Sequence, residues 1–330
     1  MTSWKIFQGT PENPHDGIDK LPEPPSWRRF DQEKRGITYQ AKGEEIELVN
    51  AALYLRRPLL VTGKPGSGKT SLAYAVAQEL KLGEVLRWNI TTRSNLLQGL
   101  YSYDAIGRLQ DSKSSDRDNL DKIGDYIKLG ALGTALLPSD KPRVLLIDEM
   151  DKSDIDLPND LLNIFEEGRF EIPELTRIAD KFPEINVQTH DNQIAKIVRG
   201  KVQCQIFPFV LLTSNGEREF PPPFLRRCLR LDLREPNPQE LENIVKVHLG
   251  DSIIQQAKPI IEKFLKKRKS GDLATDQLLN AIYILSSTAN TSDSPIVEAA
   301  REQQDGKEKE QEKSQLIERL LQSLSSTEGI

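Results

Sequence analysis

The sequence predicts a parallel α/β fold that is followed by a small all-α domain. Apolar runs typical of buried strands alternate with helix-like segments between about residues 43 and 233. From Asn237 onward the apolar residues show only the spacing typical of helices. A glycine-rich loop joins the first predicted strand to the helix that follows it. Strands that alternate with helices indicate a parallel sheet covered by helices.

Short apolar runs form the predicted strands, and helical spacing of apolar residues marks the predicted helices. The strands comprise residues 58–62, 85–90, 143–148, 206–213 and 229–233. The helices cover residues 43–54, 71–77, 158–167, 239–248, 252–268 and 275–286. The run from Val144 to Ile147 is apolar throughout, which indicates a strand buried on both faces.

Two long connections carry weaker patterns. Residues 91–140 are mostly polar, and their order stays open apart from a short apolar element at residues 128–137. Residues 170–205 alternate loosely and contain several turn signals, so we expect a hairpin insertion there.

The glycine-rich loop is the most informative segment for function. Residues 63–70 fit the pattern G-x-x-x-x-G-K-[ST], flanked by a predicted strand and helix. Such a loop turns backbone N–H groups toward phosphate groups, and the helix start adds a positive dipole. The pattern assigns Lys69 to the β- and γ-phosphates and the Thr70 hydroxyl to Mg²⁺, which predicts a bound nucleoside triphosphate. The candidate nucleotide-binding residues are Gly63, Lys64, Pro65, Gly66, Ser67, Gly68, Lys69, Thr70 and Ser71.

Two carboxylates end the strand at residues 143–148. Asp148 and Glu149 are expected at the carboxyl edge of the sheet, beside the phosphate loop. We assign Asp148, with Thr70, to the Mg²⁺ site, and Glu149 to the attacking water, which it orients and deprotonates.

Two further candidates lie downstream. Asn215 follows the strand at residues 206–213, where its amide is suited to hold the attacking water or the γ-phosphate. Arg226 and Arg227 follow a run of three prolines and are placed to reach the γ-phosphate of a neighbouring subunit as an arginine finger. A turn-forming asparagine and a solvated arginine pair are the alternatives for these positions.

These four motifs, in this order, resemble those of the AAA+ ATPases, most closely the MoxR-like branch, over about residues 36–288. Residues 62–70 look like the Walker A motif, and residues 146–149 look like the Walker B motif. Residues 213–215 look like sensor 1, and Arg227 aligns best with the arginine finger. The resemblance implies an AAA+ type P-loop NTPase sheet flanked by helices, a C-terminal helical lid, and ATP with Mg²⁺ as cofactors.

The resemblance implies two further features and shows one departure. The insertion at residues 170–205 is similar to the hairpin that this branch carries before sensor 1, and Asn89 matches the residue that restrains the catalytic glutamate. The branch often has a sensor 2 arginine at the start of the last lid helix, where this chain has Ala274-Thr275-Asp276. Hydrolysis is therefore less firmly implied than binding.

The composition argues against several classes of protein. A net charge of −5 gives no overall basic field for nucleic acid, so a nucleic-acid partner is not expected. Two cysteines and three scattered histidines suit neither a disulfide framework nor a metal cluster. The start of the chain lacks the apolar core of a signal peptide, and no apolar run is long enough to span a bilayer. We expect a soluble, cytoplasmic protein.

We expect four segments along the chain. They are an extended proline-rich arm at residues 1–35, an AAA+ α/β domain at 36–235, a helical lid at 236–288, and a charged linker with a C-terminal helix at 289–330. The arm should pack on its own domain or on a neighbour through Trp4 and Trp27. The last helix carries an apolar face, which predicts a docking segment outside the core, with a disordered tail as the alternative. That face comprises Leu316, Ile317, Leu320, Leu321 and Leu324.

The first functional hypothesis is a ring-forming ATPase, expected to be a hexamer, that remodels or assembles a partner protein. By resemblance to MoxR-like proteins, the partner is a client or adaptor, with a von Willebrand A domain as one candidate. The alternatives are a nucleic-acid motor or defence-system ATPase subunit, a small-molecule kinase, and a nucleotide-gated scaffold with slow turnover.

Overall fold

A computed structural model of the chain describes residues 6–7, 9–28, 36–114, 120–269, 273–289 and 315–321. The chain divides into two compact units, which we call the sheet unit and the helical unit. The sheet unit contains Gln32–Lys64 and Gly68–Arg234, and the helical unit contains Met1–Asp31, Pro65–Ser67 and Glu235–Ile330.

Strands and helices are numbered here in chain order. The strands are β1 (Leu59–Thr62), β2 (Leu86–Asn89), β3 (Tyr101–Tyr103), β4 (Ile127–Leu129), β5 (Val144–Asp148), β6 (Arg169–Glu171), β7 (Glu184–Gln188), β8 (Ile194–Val198), β9 (Lys201–Gln203), β10 (Phe209–Ser214) and β11 (Leu229–Asp232). The helices are α1 (Gly43–Leu55), α2 (Lys69–Glu79), α3 (Leu96–Leu100), α4 (Ala105–Ser114), α5 (Ala131–Ala135), α6 (Leu157–Glu167), α7 (Pro173–Thr176), α8 (Pro222–Arg227), α9 (Pro238–Leu249), α10 (Ile254–Arg268) and α11 (Thr275–Ala289).

A five-stranded parallel sheet forms the centre of the sheet unit, in the order β11-β1-β10-β5-β2. All five predicted strands belong to it, so the predicted α/β fold with a parallel sheet is confirmed. Every residue of β5 and of β10 is buried, because neighbours flank both strands and helices cover both faces. The carboxyl ends of all five strands consequently meet at one edge of the sheet.

The two faces of this sheet pack against different helices. Along β5 the side chains alternate, so that Leu145 and Ile147 join one apolar cluster and Val144 and Leu146 join another. The first cluster includes residues of α3, α5 and α6, and the second includes residues of α1 and α2. The apolar strand runs in the sequence are therefore explained by packing on both faces.

A second sheet of six short strands has the order β3-β4-β7-β8-β9-β6. The β7–β8 pair is an antiparallel hairpin inside the region where an insertion was predicted. This sheet extends beyond that region, since β7 also pairs with β4, which lies in the connection whose order the sequence left open. Its strands of three to five residues alternate buried and exposed side chains, a pattern too short to identify strands in the sequence.

Three helices, α9 to α11, form the core of the helical unit. Asn237 accepts a hydrogen bond from the Glu240 backbone and Glu240 accepts one from the Asn237 backbone, so that a reciprocal cap begins α9. The helices pack through a shared apolar cluster whose most deeply buried members are Leu241, Val245, Ala257, Phe264, Leu278 and Ala281. In the described residues no helix has the length and apolar character needed to cross a bilayer.

The N-terminal arm packs on this unit through Trp27. The Trp27 indole N–H donates to the Asn280 side-chain oxygen at 2.9 Å, and its ring lies edge-on to His248 and Tyr283. The Ser26 hydroxyl lies 2.9 Å from Nδ1 of His248, whose pKa is lowered by burial. The arm thus packs on its own chain, as one of the two predicted options had it, whereas Trp4 lies outside the described residues.

The C-terminal segment differs from its prediction. Residues 315–320 are helical, and Leu321, which is 1% exposed, belongs to the apolar cluster of the helical unit. Lys263 pairs with Glu318 at 3.0 Å, and Lys267 reaches the Leu321 carbonyl at 3.4 Å. The expectation of a docking segment outside the core is therefore wrong for these residues, because their apolar side chains complete a core within the same chain. Leu324 and residues 290–314 lie outside the described residues.

We predict that Leu321→Ala destabilises the protein by about 2–4 kcal/mol, because it leaves a cavity in the core of the helical unit. Urea unfolding followed by circular dichroism measures this change. Arg319→Ala, on the exposed side of the same turn, is the matched control and should shift stability by less than about 0.5 kcal/mol. Equal stability of the two variants would show that the segment does not contribute to the core and would support a docking helix instead.

Candidate functional site

The phosphate-loop sequence connects β1 to α2 at the carboxyl edge of the central sheet. Gly63, Gly66 and Gly68 have φ angles of 149°, 74° and 95°, which residues with side chains rarely adopt. A Cβ on Gly68 would lie 3.1 Å from the Tyr39 ring, so space as well as conformation favours glycine there. In the described part of the chain, the buried hydroxyl oxygen of Ser67 has no hydrogen-bond partner.

Lys69 is the first residue of α2, and it is buried. Its ammonium group donates to the backbone oxygens of Gly63 and Lys64 at 2.6 and 3.0 Å, and to Oδ1 of Asn215 at 2.8 Å. Burial lowers the pKa of Lys69, and three nearby carboxylates, led by that of Asp151, act in the opposite direction. The fold therefore brings together Lys69 and Asn215, which the sequence proposed separately.

Asp148 ends β5 and is only 5% exposed. Its Oδ1 accepts hydrogen bonds from the hydroxyls of Thr70 at 3.2 Å and Thr213 at 2.6 Å. Its Oδ2 accepts one from the Arg87 guanidinium at 2.5 Å. The Thr70 hydroxyl and the Asp148 carboxylate are hard oxygen donors of the kind that Mg²⁺ prefers, so the predicted pair of metal-binding residues lies together and fits that ion.

Glu149 has a left-handed backbone with φ of 62°, which is uncommon for a residue that is not glycine. Its backbone N–H donates to the Thr213 hydroxyl at 2.8 Å. The Glu149 side chain is 44% exposed, and its carboxylate accepts a hydrogen bond from Lys152 at 2.8 Å. The structure thus pairs Glu149 with Lys152 rather than with Asn89, whose predicted restraint of the glutamate remains a prediction.

Asp151 organises the loop that follows β10. Its Oδ2 accepts hydrogen bonds from the backbone N–H groups of Asn215 and Glu217 at 2.9 and 3.2 Å. The Asn215 amide group also lies 3.4 Å from a carboxylate oxygen of Glu217. Asp151 therefore fixes the backbone from which Asn215 reaches Lys69.

The two candidate finger arginines lie at the end of α8. Arg227 pairs with Glu166 of α6 and donates to the Pro223 carbonyl at 3.3 Å, while Arg57 donates to the backbone oxygens of both arginines. Among the described residues, neither arginine side chain donates a hydrogen bond to the cluster around Lys69 and Asp148. The fold thus joins the phosphate-loop, acidic and asparagine candidates and leaves the arginine pair outside their hydrogen-bond network.

The sequence did not identify Arg87 or Asp151 as part of the site, nor Thr213 as a hydrogen-bond donor to Asp148. Arg87 interrupts an otherwise apolar strand pattern in β2, and a charge in such a run is a signal for a specific partner. Asp151 continues the acidic series that begins at Asp148, yet its spacing alone does not identify a loop cap. Thr213 resembles any β-branched strand residue until the neighbouring strand is known.

One protein-family model matches the part of the chain that contains this site. The model of the AAA domain family (dynein-related subfamily) matches residues 58–228, just over half of the chain. No curated protein matches the chain. Among solved structures, a proposed ATPase from Cytophaga hutchinsonii is 12% identical with a TM-score of 0.39, over 66% of this chain and 52% of that one. The structure of C. elegans PCH-2 is 15% identical with a TM-score of 0.40, over 81% of this chain and 68% of that one. The chain thus spans about half the length of the first of these structures.

We predict that Arg87→Met lowers the Mg²⁺ concentration needed for nucleotide binding. The Arg87 guanidinium competes with Mg²⁺ for the Asp148 carboxylate. Because this ion pair is partly exposed, its loss should raise the affinity for Mg²⁺ by ~1 kcal/mol, which is about fivefold. Binding of a fluorescent ATP analogue, titrated with Mg²⁺, measures the shift. Arg87→Lys keeps the charge and should stay within about twofold of the original protein. A higher Mg²⁺ requirement in Arg87→Met would show that Arg87 supports the metal site instead.

Proposed function

We propose that this chain, which belongs to the AAA domain family (dynein-related subfamily), is a Mg²⁺-dependent ATPase of MoxR-like type. In this proposal it uses ATP hydrolysis to remodel or assemble a partner protein. The observation that carries the proposal is the convergence of Lys69, Thr70, Asp148 and Asn215 at one edge of the sheet. These side chains come from a helix start and the ends of two strands, the arrangement that phosphoryl transfer from a bound triphosphate needs.

The residues of the phosphate loop bind the nucleotide in this proposal. The Lys69 ammonium exchanges its carbonyl partners for oxygens of the β- and γ-phosphates. The backbone N–H groups of residues 63, 64 and 66–71 and the unpartnered Ser67 hydroxyl offer further donors. Thr70 and Asp148 hold Mg²⁺, which, when bound, neutralises negative charge that develops on the phosphate oxygens.

Two other residues act on the attacking water. Glu149 is partly exposed, so its carboxylate is accessible to water, from which it takes the proton. Its hydrogen bond with Lys152 must first be released or shared, because that bond occupies an oxygen of the carboxylate that has to contact the water. The Asn215 amide holds the water or the γ-phosphate in line, on a loop that Asp151 fixes.

A nucleotide-gated scaffold with slow turnover is a second candidate, and two observations favour it. The start of α11 reads Thr275-Asp276, so the arginine that often contacts the nucleotide from this helix in MoxR-like proteins is missing. Glu149 is paired with Lys152 rather than free to act as a base. Turnover measured at saturating ATP and Mg²⁺ distinguishes the candidates, because a scaffold binds ATP as tightly but hydrolyses it far more slowly.

The proposal extends to assembly. The resemblance to MoxR-like proteins supports a ring, expected to be a hexamer, in which residues 236–288 are the lid domain of each subunit. The client or adaptor is a protein, and one with a von Willebrand A domain is one candidate. Arg227, or its neighbour Arg226, then acts on the nucleotide of the adjacent subunit.

We predict that Glu149→Gln binds ATP with affinity close to that of the original protein but hydrolyses it at least about 100-fold more slowly, because an amide cannot accept a proton from water. Steady-state phosphate release and binding of a fluorescent ATP analogue provide the two measurements. Lys69→Ala is the contrasting variant, since it should lose the binding step itself. Turnover in Glu149→Gln near that of the original protein would place the base elsewhere.

We predict that Arg227→Ala and Glu149→Gln, each nearly inactive alone, recover part of the ATPase rate when mixed. A Glu149→Gln subunit keeps an intact Arg227, which can complete the site of a neighbour whose Glu149 is intact. Copurification with two different tags establishes that hybrid rings form. Hybrids without any recovered activity, at every mixing ratio, would exclude an arginine that acts between subunits, and the same series with Arg226→Ala distinguishes the two arginines.

A further inference from the structure

The Thr213 hydroxyl joins the two acidic residues of the candidate site. Thr213 lies near the end of β10 and is 1% exposed. Its Oγ1 donates to Oδ1 of Asp148 at 2.6 Å and accepts from the Glu149 backbone N–H at 2.8 Å. One buried hydroxyl therefore contacts the side chain of the first acid and the backbone of the second.

The first contact orients the Asp148 carboxylate. A hydroxyl bonded to a carboxylate at 2.6 Å is a short, charge-assisted hydrogen bond, stronger than one between neutral groups. It occupies a fixed direction at Oδ1, the oxygen that also accepts from Thr70. The carboxylate consequently has little freedom to rotate away from Thr70, with which it would share Mg²⁺.

The second contact holds a strained backbone. Glu149 adopts φ of 62°, a conformation that persists in residues other than glycine only where the surroundings enforce it. Its N–H has Thr213 as partner, and the backbone then enters the short helical turn Met150–Lys152. This sharp change of direction takes the Glu149 side chain from the buried end of β5 to a water-accessible position.

The strand pairing makes these contacts possible. In the parallel β10–β5 pair, Leu212 lies opposite Ile147, so Thr213 lies beside Asp148, which ends β5 and precedes Glu149. Side chains two residues apart on a strand point to the same side, and Asn215 follows two residues after Thr213. The end of β10 and the first residue of the loop after it thus carry the hydroxyl that contacts the acids and the amide that contacts Lys69.

We propose that Thr213 is a positioning residue for hydrolysis, which sets the orientation of the Asp148 carboxylate and the backbone turn at Glu149. This inference rests on the proposed ATPase activity. Thr213 contacts neither nucleotide nor water in this role, and it acts through the two acids. The competing interpretation is a buried threonine that contributes only to folding.

The test compares Thr213→Val, which has the same shape without the hydroxyl bonds, with Thr213→Ser, which keeps the hydroxyl and loses the methyl group. Either variant can be less stable than the original protein, whether Thr213 positions the acids or contributes only to folding. Stability alone therefore does not distinguish the two roles, since serine also loses apolar packing that valine retains. A positioning role predicts that kcat falls about 10- to 100-fold in Thr213→Val, while KM for ATP changes less than about threefold. Thr213→Ser should stay within about threefold of the original kcat. A role in folding alone predicts that activity follows the melting temperature in both variants.

A readout without turnover separates this inference from the proposed function. Binding of the fluorescent ATP analogue, titrated with Mg²⁺, should require about three- to tenfold more Mg²⁺ in Thr213→Val and an unchanged concentration in Thr213→Ser. If the original protein binds ATP and Mg²⁺ but does not hydrolyse ATP, the proposed ATPase fails while this titration still tests the orientation of Asp148. An unchanged Mg²⁺ requirement together with unchanged kcat in Thr213→Val overturns the inference.

Two controls complete the experiment. Thr134→Val removes another fully buried hydroxyl of the sheet unit, which accepts from the His190 backbone N–H at 2.9 Å. Among the described residues, this hydroxyl makes no hydrogen bond with Asp148 or Glu149. It should leave kcat and the Mg²⁺ requirement unchanged. If Thr213→Val does not fold, Thr213→Ala removes the hydroxyl without adding volume and carries the same expected losses. Activity of Thr213→Ala equal to that of Thr213→Ser would count against the proposal.

Discussion

A carboxylate that is almost removed from water needs donors around it, and Asp148 is the group that imposes this requirement here. Its two oxygens take hydrogen bonds from Thr70 at the start of α2, Thr213 near the end of β10 and Arg87 on β2. A buried carboxylate without such partners costs several kcal/mol. The three donors come from three separate elements. The carboxyl ends of the neighbouring parallel strands must therefore be aligned so that all three donors reach the buried Asp148 carboxylate.

The groups suited to a nucleotide contact one another in this structure. The Lys69 ammonium contacts backbone carbonyls and the Asn215 amide, and the Glu149 carboxylate contacts Lys152. Binding of an anionic ligand at Lys69 would therefore exchange existing hydrogen bonds, whereas the Ser67 hydroxyl has no partner to exchange among the described residues. Such an exchange would change the hydrogen bonds of several side chains at once. The positions of the residues at this edge of the sheet therefore depend on one another before any chemistry takes place.

The sequence predicted the parts of the molecule that depend on local pattern. The strands β1, β5 and β10 of the central sheet are nearly continuous apolar runs, and the phosphate loop has fixed spacing, so both could be identified without a structure. The second sheet could not, because its strands are short, alternate in polarity and pair across distant segments such as β4 and β7. The partners Arg87 and Thr213 were missed for a related reason, since their roles depend on which strand lies beside them. The finger role of Arg226 and Arg227 stays a prediction, because a single chain shows only their partners within that chain.

Each unit contains one tryptophan whose surroundings the structure defines. Trp27 lies against His248 and Tyr283 in the helical unit, whereas Trp88 on β2 is buried in the sheet unit beside Gly99. The indole of Trp27 is hydrogen-bonded and lies next to an imidazole, whereas that of Trp88 lies in an apolar core, and we expect these surroundings to give the two rings different emission wavelengths and quenching. With Trp4 replaced, the protein therefore carries a separate optical reporter in each unit, and the unfolding of one can be followed independently of the other without an attached label.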